Sequence, residues 1–254
     1  MPSWIVRPKP RPEATLRVFC LPSAGYGAAM YRVWAHHFPP EVEVCAISLP
    51  GREMLLRERP VLDLEQLAAE VVRQIAPELD RPFALFGHSM GSWLAFEVVR
   101  ELRRTGQPLP FHLFVSGRRA PHLPSPDAPI HGLDDGQLVI EIQRRYGGIP
   151  QAVLSEPELL ALLLPALRAD LTALETYRFR DEAPLACPIS CFGGDDDPHV
   201  PLADLEPWRL MTATAFELKQ FPGAHFYLQD TSRSALLDVI GKTLHSADTG
   251  VGAT

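Results

Sequence analysis

Long hydrophobic runs are missing from this chain. None of its 254 residues falls in an apolar stretch approaching the ~20 that a membrane-spanning helix needs. Residues 1–12 are rich in Pro and Arg and lack the apolar centre of a secretion signal. They are expected to form a loose arm, as residues 246–254 are expected to form a frayed tail. Cysteine is scarce. The four present, Cys20, Cys45, Cys187 and Cys191, lie in apolar, strand-like segments without the paired spacing of a zinc site. They read as buried free thiols, so no metal is expected and the compartment is expected to be the cytoplasm. Positive charge is also short: the formal net charge is −7, and the Arg doublets are scattered, which argues against a nucleic-acid binder.

What is present is apolar content of 46%, enough for a sizeable core. Short apolar runs alternate with helix-like stretches. Strands are expected at 16–21, 42–48, 82–86, 111–116, 188–192 and 215–221. Helices are expected at 28–38, 64–79, 92–104, 134–146, 156–177, 202–211 and 232–244. Alternation at this spacing predicts an α/β fold, a mainly parallel sheet with helices on both faces, as one domain over 1–254. The pattern breaks between Arg118 and Leu185. Residues 120–129 are too Pro-rich for a regular element, and 159–164 (Leu-Leu-Ala-Leu-Leu-Leu) are too apolar for a free surface helix. A core helix would account for this, as would a lid over an acyl pocket. The late return of a strand at Pro188 favours a helical lid insertion over 118–185.

Residues 87–91 read Gly-His-Ser-Met-Gly directly after the apolar run 82–86. This is the G-x-S-x-G pattern of a sharp strand-to-helix turn that exposes a serine hydroxyl, and it needs flanking residues without a Cβ. Ser89 is therefore the candidate nucleophile. It requires a base and an orienting carboxylate, in the chain order Ser, Asp, His. His225, just beyond the last strand, is the histidine placed for the first role. Asp195, Asp196 and Asp197 follow the preceding strand. Such a run also fits a solvated loop or a calcium-like cluster, but Gly194 and Pro198 favour Asp197. The oxyanion hole is expected from the backbone N–H groups of Met90, after the nucleophile, and of Ala24, in the loop after the first strand.

Beside that pattern stand Leu-Pro-Gly-Arg at 49–52, Gly-Gly-Ile-Pro at 147–150, Leu-Leu-Pro-Ala-Leu-Arg-Ala-Asp at 163–170 and Phe-Pro-Gly-Ala-His-Phe at 221–226. Over roughly residues 15–245 the chain resembles the type II thioesterases, the free-standing editing hydrolases of polyketide and nonribosomal peptide assembly lines. The resemblance implies an α/β-hydrolase fold and a lid gating a narrow pocket. It implies no cofactor. The substrates would be short or aberrant acyl groups on the phosphopantetheine arm of acyl or peptidyl carrier proteins. Tyr26 departs from the Pro-x-Ala-Gly-Gly often found in the family's oxyanion loop. Arg118 and Arg119, directly after a strand end, are expected to receive the carrier. A general carboxylesterase or lipase, an acyltransferase and an inactive scaffold are the competing readings.

Overall fold

The computed structural model describes residues 3–250, of which 247–250 by backbone alone. Its centre is a seven-stranded sheet. The strands are β1 (Ile5–Val6), β2 (Leu16–Leu21), β3 (Val42–Ile47), β4 (Phe83–His88), β5 (His112–Ser116), β6 (Ile189–Gly194) and β7 (Phe216–Phe221), in spatial order β1-β3-β2-β4-β5-β6-β7. Every pairing is parallel except β1 with β3. Strands β2 to β6 are buried along their whole length, which is why they read as mainly apolar runs, with Arg17 and Glu43 paired across β2 and β3 at 3.1 Å. Strand β7 alternates instead, and its exposed Glu217 and Lys219 put charge on the open edge.

One face carries α1 (Leu64–Ile75) and α2 (Met90–Arg104). Asp63 caps α1 by accepting the Gln66 N–H at 2.8 Å, and Leu67, Val71 and Ile75 share its buried stripe. These pack with Phe19, Leu85, Leu113 and Val115 from the sheet. The opposite face carries Tyr31, Trp34 and the last helix, whose Leu236, Leu237 and Ile240 pack on Val18, Ala84 and Phe86. Between β5 and β6 the chain contributes α3 (Asp135–Tyr146), α4 (Gln151–Leu154) and α5 (Pro157–Thr176). These helices assemble an apolar cluster of their own around Ile130, Leu138, Ile142, Ile149, Leu164, Leu167 and Leu171. After β6 come α6 (Leu202–Leu205) and, after β7, α7 (Arg233–Gly250).

Four expectations need correction. Residues 3–12 are not a loose arm: Trp4 and Ile5 are buried, and β1 closes the β3 edge. Arg7 reaches Glu78 at 2.6 Å and Glu43 at 3.2 Å. The expected helix at 28–38 is two 3₁₀ turns, 28–31 and 34–36. Side chains take its backbone groups instead: Glu53 accepts the N–H of Ala28 and Ala29, and Arg11 donates to the carbonyls of Ala35 and Phe38. The helix expected over 202–211 ends as α6 and continues as 3₁₀ over 206–211, because Pro207 has no N–H to donate. Helix α7 runs through 246–250, part of the expected tail; residues 251–254 lie outside the described residues.

Candidate active site

Strand β4 delivers the chain to Ser89, and α2 leaves from it at Met90. Ser89 sits at φ 53° and ψ −117°, a region costly for a residue with a side chain. Close approach explains the flanking glycines. A Cβ on Gly87 would lie 1.9 Å from the Gly91 carbonyl oxygen, and one on Gly91 would lie 2.2 Å from that of Leu21. The Ser89 N–H donates to the Ser116 carbonyl at 2.8 Å, which locks the turn to β5.

The later strand ends bring the other two residues to it. His225 Nε2 lies 3.0 Å from Ser89 Oγ, and His225 Nδ1 lies 2.6 Å from Asp197 Oδ2. All three are buried. Asp197 Oδ1 accepts the His199 N–H at 3.0 Å. Burial pushes the Asp197 carboxyl up, but the His225 ring and the His199 N–H outweigh it and hold it below the usual carboxylate range. Asp195 does separate work: its carboxylate accepts the Gly223 N–H at 2.9 Å and joins the loop after β6 to the one after β7. Gly194 matters through proximity, since a Cβ there would meet the Gly223 carbonyl oxygen at 2.2 Å. Such a hydrogen-bonded chain can raise the nucleophilicity of an alcohol and carry its proton.

His88 points away from the nucleophile. Its Nδ1 lies 2.8 Å from Ser116 Oγ, which in turn lies 2.6 Å from the Tyr227 hydroxyl. Burial, reinforced by the nearby His225 ring, pushes its pKa well down, so it stays neutral. Tyr146 of α3 places its ring 5.2 Å from that of His225, a contact no sequence pattern announced.

The loop 22–27 carries Ala24 to the cavity wall and is anchored from the other side. The Gly25 N–H donates to Asp170 Oδ2 of α5 at 2.7 Å. Arg52 forks onto both oxygens of that carboxylate at 2.6 and 2.8 Å, and both partners are buried. Tyr26 donates its hydroxyl to the Gly148 carbonyl at 2.8 Å, and its ring centre lies 5.2 Å from that of Phe226. The segments 49–52, 147–150 and 163–170, separate in sequence, thus converge on one loop. Met90 opens α2 beside Ser89.

Ser89, His225 and Ala24 open into a cavity of about 420 Å³ walled by apolar residues of α3 and α5, among them Ile142, Leu163, Leu167 and Leu171. Leu56, Leu159 and Leu162 line it and are also exposed, which marks its mouth. The expectation for Arg118 and Arg119 fails. Arg119 is spent on Asp204 and the Pro124 carbonyl. Arg118 lines the cavity, its guanidinium carbon 4.1 Å from the centre of the Trp93 ring. Neither is a free surface cation.

A mainly parallel sheet with a strained serine at a strand-to-helix turn, and histidine and aspartate on later strand ends, defines a serine hydrolase of the α/β-hydrolase fold. The model of the thioesterase domain matches residues 16–244, and the chain belongs to the thioesterase family. It is 41% identical to the gramicidin S biosynthesis protein GrsT of Aneurinibacillus migulanus, over 95% of this chain and 93% of that one. Among solved structures, the RedJ thioesterase of the prodiginine pathway of Streptomyces coelicolor superposes with a TM-score of 0.84 at 42% identity, covering 90% of this chain and 85% of that one. The type II thioesterase BorB of the borrelidin cluster does so with 0.86 at 37%, covering 95% and 98%.

Proposed function

We propose that the protein hydrolyses acyl thioesters carried on the phosphopantetheine arm of acyl or peptidyl carrier proteins, releasing chains that block an assembly line. The observation that carries this is the Ser89–His225–Asp197 hydrogen-bonded chain at the wall of an apolar cavity with an open mouth. The kinship with GrsT, RedJ and BorB supports the carrier-bound substrate. Ser89 Oγ attacks the thioester carbonyl while His225 Nε2 takes its proton. Asp197 holds the imidazole tautomer and offsets the charge that forms. The N–H groups of Ala24 and Met90 receive the oxyanion, each contributing about 3 kcal/mol to the barrier reduction. The C–S bond breaks, His225 returns the proton to the leaving thiolate, and water repeats the cycle on the acyl-enzyme.

Residues 118–185 serve as a lid inserted into a single α/β-hydrolase domain. Their own apolar cluster and the direct pairing of β5 with β6 across them support this. No described helix is long and apolar enough to cross a membrane. The four buried free cysteines suit a reducing compartment, and we place the protein in the cytoplasm.

The test is a panel of acyl-carrier thioesters and matched oxygen esters, run with wild type and Ser89→Ala. Preferential turnover of the carrier thioesters, lost by several orders of magnitude in the variant, is expected. A loss under about tenfold overturns the serine mechanism. Preference for oxygen esters makes the protein a general esterase, and acyl transfer to an acceptor other than water makes it a transferase.

A further inference from the structure

Besides the phenols of Tyr26 and Tyr146, four ionisable side chains line the cavity: Arg52, Glu53, Arg118 and His225. Three are committed. Arg52 is closed by Asp170, and His225 is paired with Asp197. Glu53 accepts from the N–H groups of Ala28 and Ala29 and from the Ser48 hydroxyl. Arg118 differs. Among the described residues no carboxylate lies within ion-pair distance of it, and its buried Nε has no hydrogen-bond partner. Burial pushes its pKa down, the neighbouring Arg119 adds to this, and the Tyr146 hydroxyl opposes both.

Its position follows from the sheet. Register sets Ser116 of β5 opposite His88 of β4, so the chain leaves β5 beside the nucleophile turn. Gly117, at φ 60°, then redirects it, and a Cβ there would lie 2.6 Å from His88 Cε1. Stacking on Trp93 holds the guanidinium plane. Arg118 as a whole is half-buried, but a charged donor shut away from water, as its Nε is, is costly unless something pairs with it. Here the open space beside it is where the acyl chain goes.

We propose that Arg118 is a specificity-determining residue that binds an acceptor oxygen carried by the acyl group beyond the thioester carbonyl: a keto, hydroxyl or carboxylate oxygen. This rests on the acyl-thioesterase reading above. A plain alkyl chain fills the apolar walls but brings the guanidinium no acceptor beyond the Tyr146 hydroxyl, whereas an oxygenated chain satisfies both walls and cation. A site built around a buried donor discriminates against ligands that lack the acceptor far more strongly than an apolar wall discriminates by size.

The experiment measures kcat/KM for the pantetheine thioesters of hexanoate, 3-oxohexanoate, 5-oxohexanoate and glutarate, with wild type, Arg118→Met and Arg118→Lys. Intrinsic reactivity cancels in each variant-to-wild-type quotient. For Arg118→Met the quotient is expected to be at least about tenfold lower for one or more oxygenated chains than for hexanoyl, with Arg118→Lys between the two. A loss confined to glutaryl identifies a carboxylate, and one confined to the oxo chains a neutral acceptor. Equal quotients for all four chains would reduce Arg118 to a structural support and overturn the proposal. Should the methionine variant not fold, competitive inhibition of wild type by the free acids decides. Tighter inhibition by 5-oxohexanoate or glutarate than by hexanoate upholds the proposal, and no difference overturns it. Wild type that turns over none of the thioesters, hexanoyl included, is instead a failure of the thioesterase reading.

Discussion

The strand ends and the helices between β5 and β6 face the same cavity, but different forces build them. At the strand ends backbone touches backbone. Glycines at 87, 91 and 194 allow approaches that a methyl group would block, and Ser89, Asp197 and His225 hang from turns held by main-chain bonds. The helical side has its own apolar cluster and reaches the rest of the molecule partly through a few polar ties. Among these are Arg52 with Asp170, Tyr26 with Gly148, and Glu182 with Arg100, Arg103 and Arg104. The chemistry is thus held by constraints that tolerate almost no substitution. The shape of the pocket rests on packing and on a handful of replaceable contacts, so one can vary while the other stays.

Breaking the rigid side should hurt activity most. Asp197→Asn preserves the shape but favours the wrong imidazole tautomer, so kcat on a carrier thioester should drop about 10⁴-fold, with little change in melting temperature. Breaking the central tie comes next. Asp170→Ala strands the buried Arg52 and frees the Gly25 N–H. It should cost about 3–5 kcal/mol in urea denaturation and reduce kcat as well. Adding Arg52→Met should recover stability but not rate, because the Gly25 anchor stays lost.

The outer tie is weaker and depends on pH. Burial alone would raise the Glu182 carboxyl, but hydrogen bonds from Arg100, Arg104 and Arg103 hold it at about 2. A depressed carboxylate stabilises the fold fully above its ordinary value near 4.5, and that contribution fades as pH falls toward 2. Glu182→Gln should therefore cost about 1–2 kcal/mol at pH 7, discounted for partial exposure. The gap from wild type should narrow steadily in denaturation curves taken below pH 4.5. Smallest is Tyr26→Phe, which deletes the hydroxyl bond to Gly148 and keeps the ring contact with Phe226. About 0.5–1.5 kcal/mol is expected. A larger loss from Tyr26→Phe than from Asp170→Ala would reverse the ranking of the ties.

The strand-end side was the legible one. Leu16–Leu21 is a strand in the bounds its apolar run suggests, and Ser89, Asp197 and His225 meet as their places after successive strands imply. Both follow from local rules: buried parallel strands need mainly apolar runs, and tight turns need glycine. Gly194 marks Asp197 for two reasons: its carbonyl accepts the Asp197 N–H at 3.4 Å across the turn, and its lack of a Cβ admits Gly223. What stayed hidden depends on long-range pairing. Nothing at Arg52 tells that it faces Asp170, 118 positions on. Nothing in the Pro- and Arg-rich start tells that Trp4 and Ile5 find an edge to cover. The stretch 28–38 has helical spacing, yet Arg11 and Glu53 take backbone groups that a helix would use. Arg118 reads as surface charge because adjacent arginines usually are, yet it lines the cavity.

The carboxylate of Asp170 has a mechanical consequence. It grips a backbone amide of the loop 22–27 at 2.7 Å while belonging to α5. Lifting that helix by an ångström or two breaks the grip and slackens the loop expected to meet the developing negative charge. On the proposed reading of 118–185 as a lid, closure and competence would therefore be interlocked: a chain passing an ajar mouth would meet a disarmed enzyme, and hydrolysis would wait until the cover had settled.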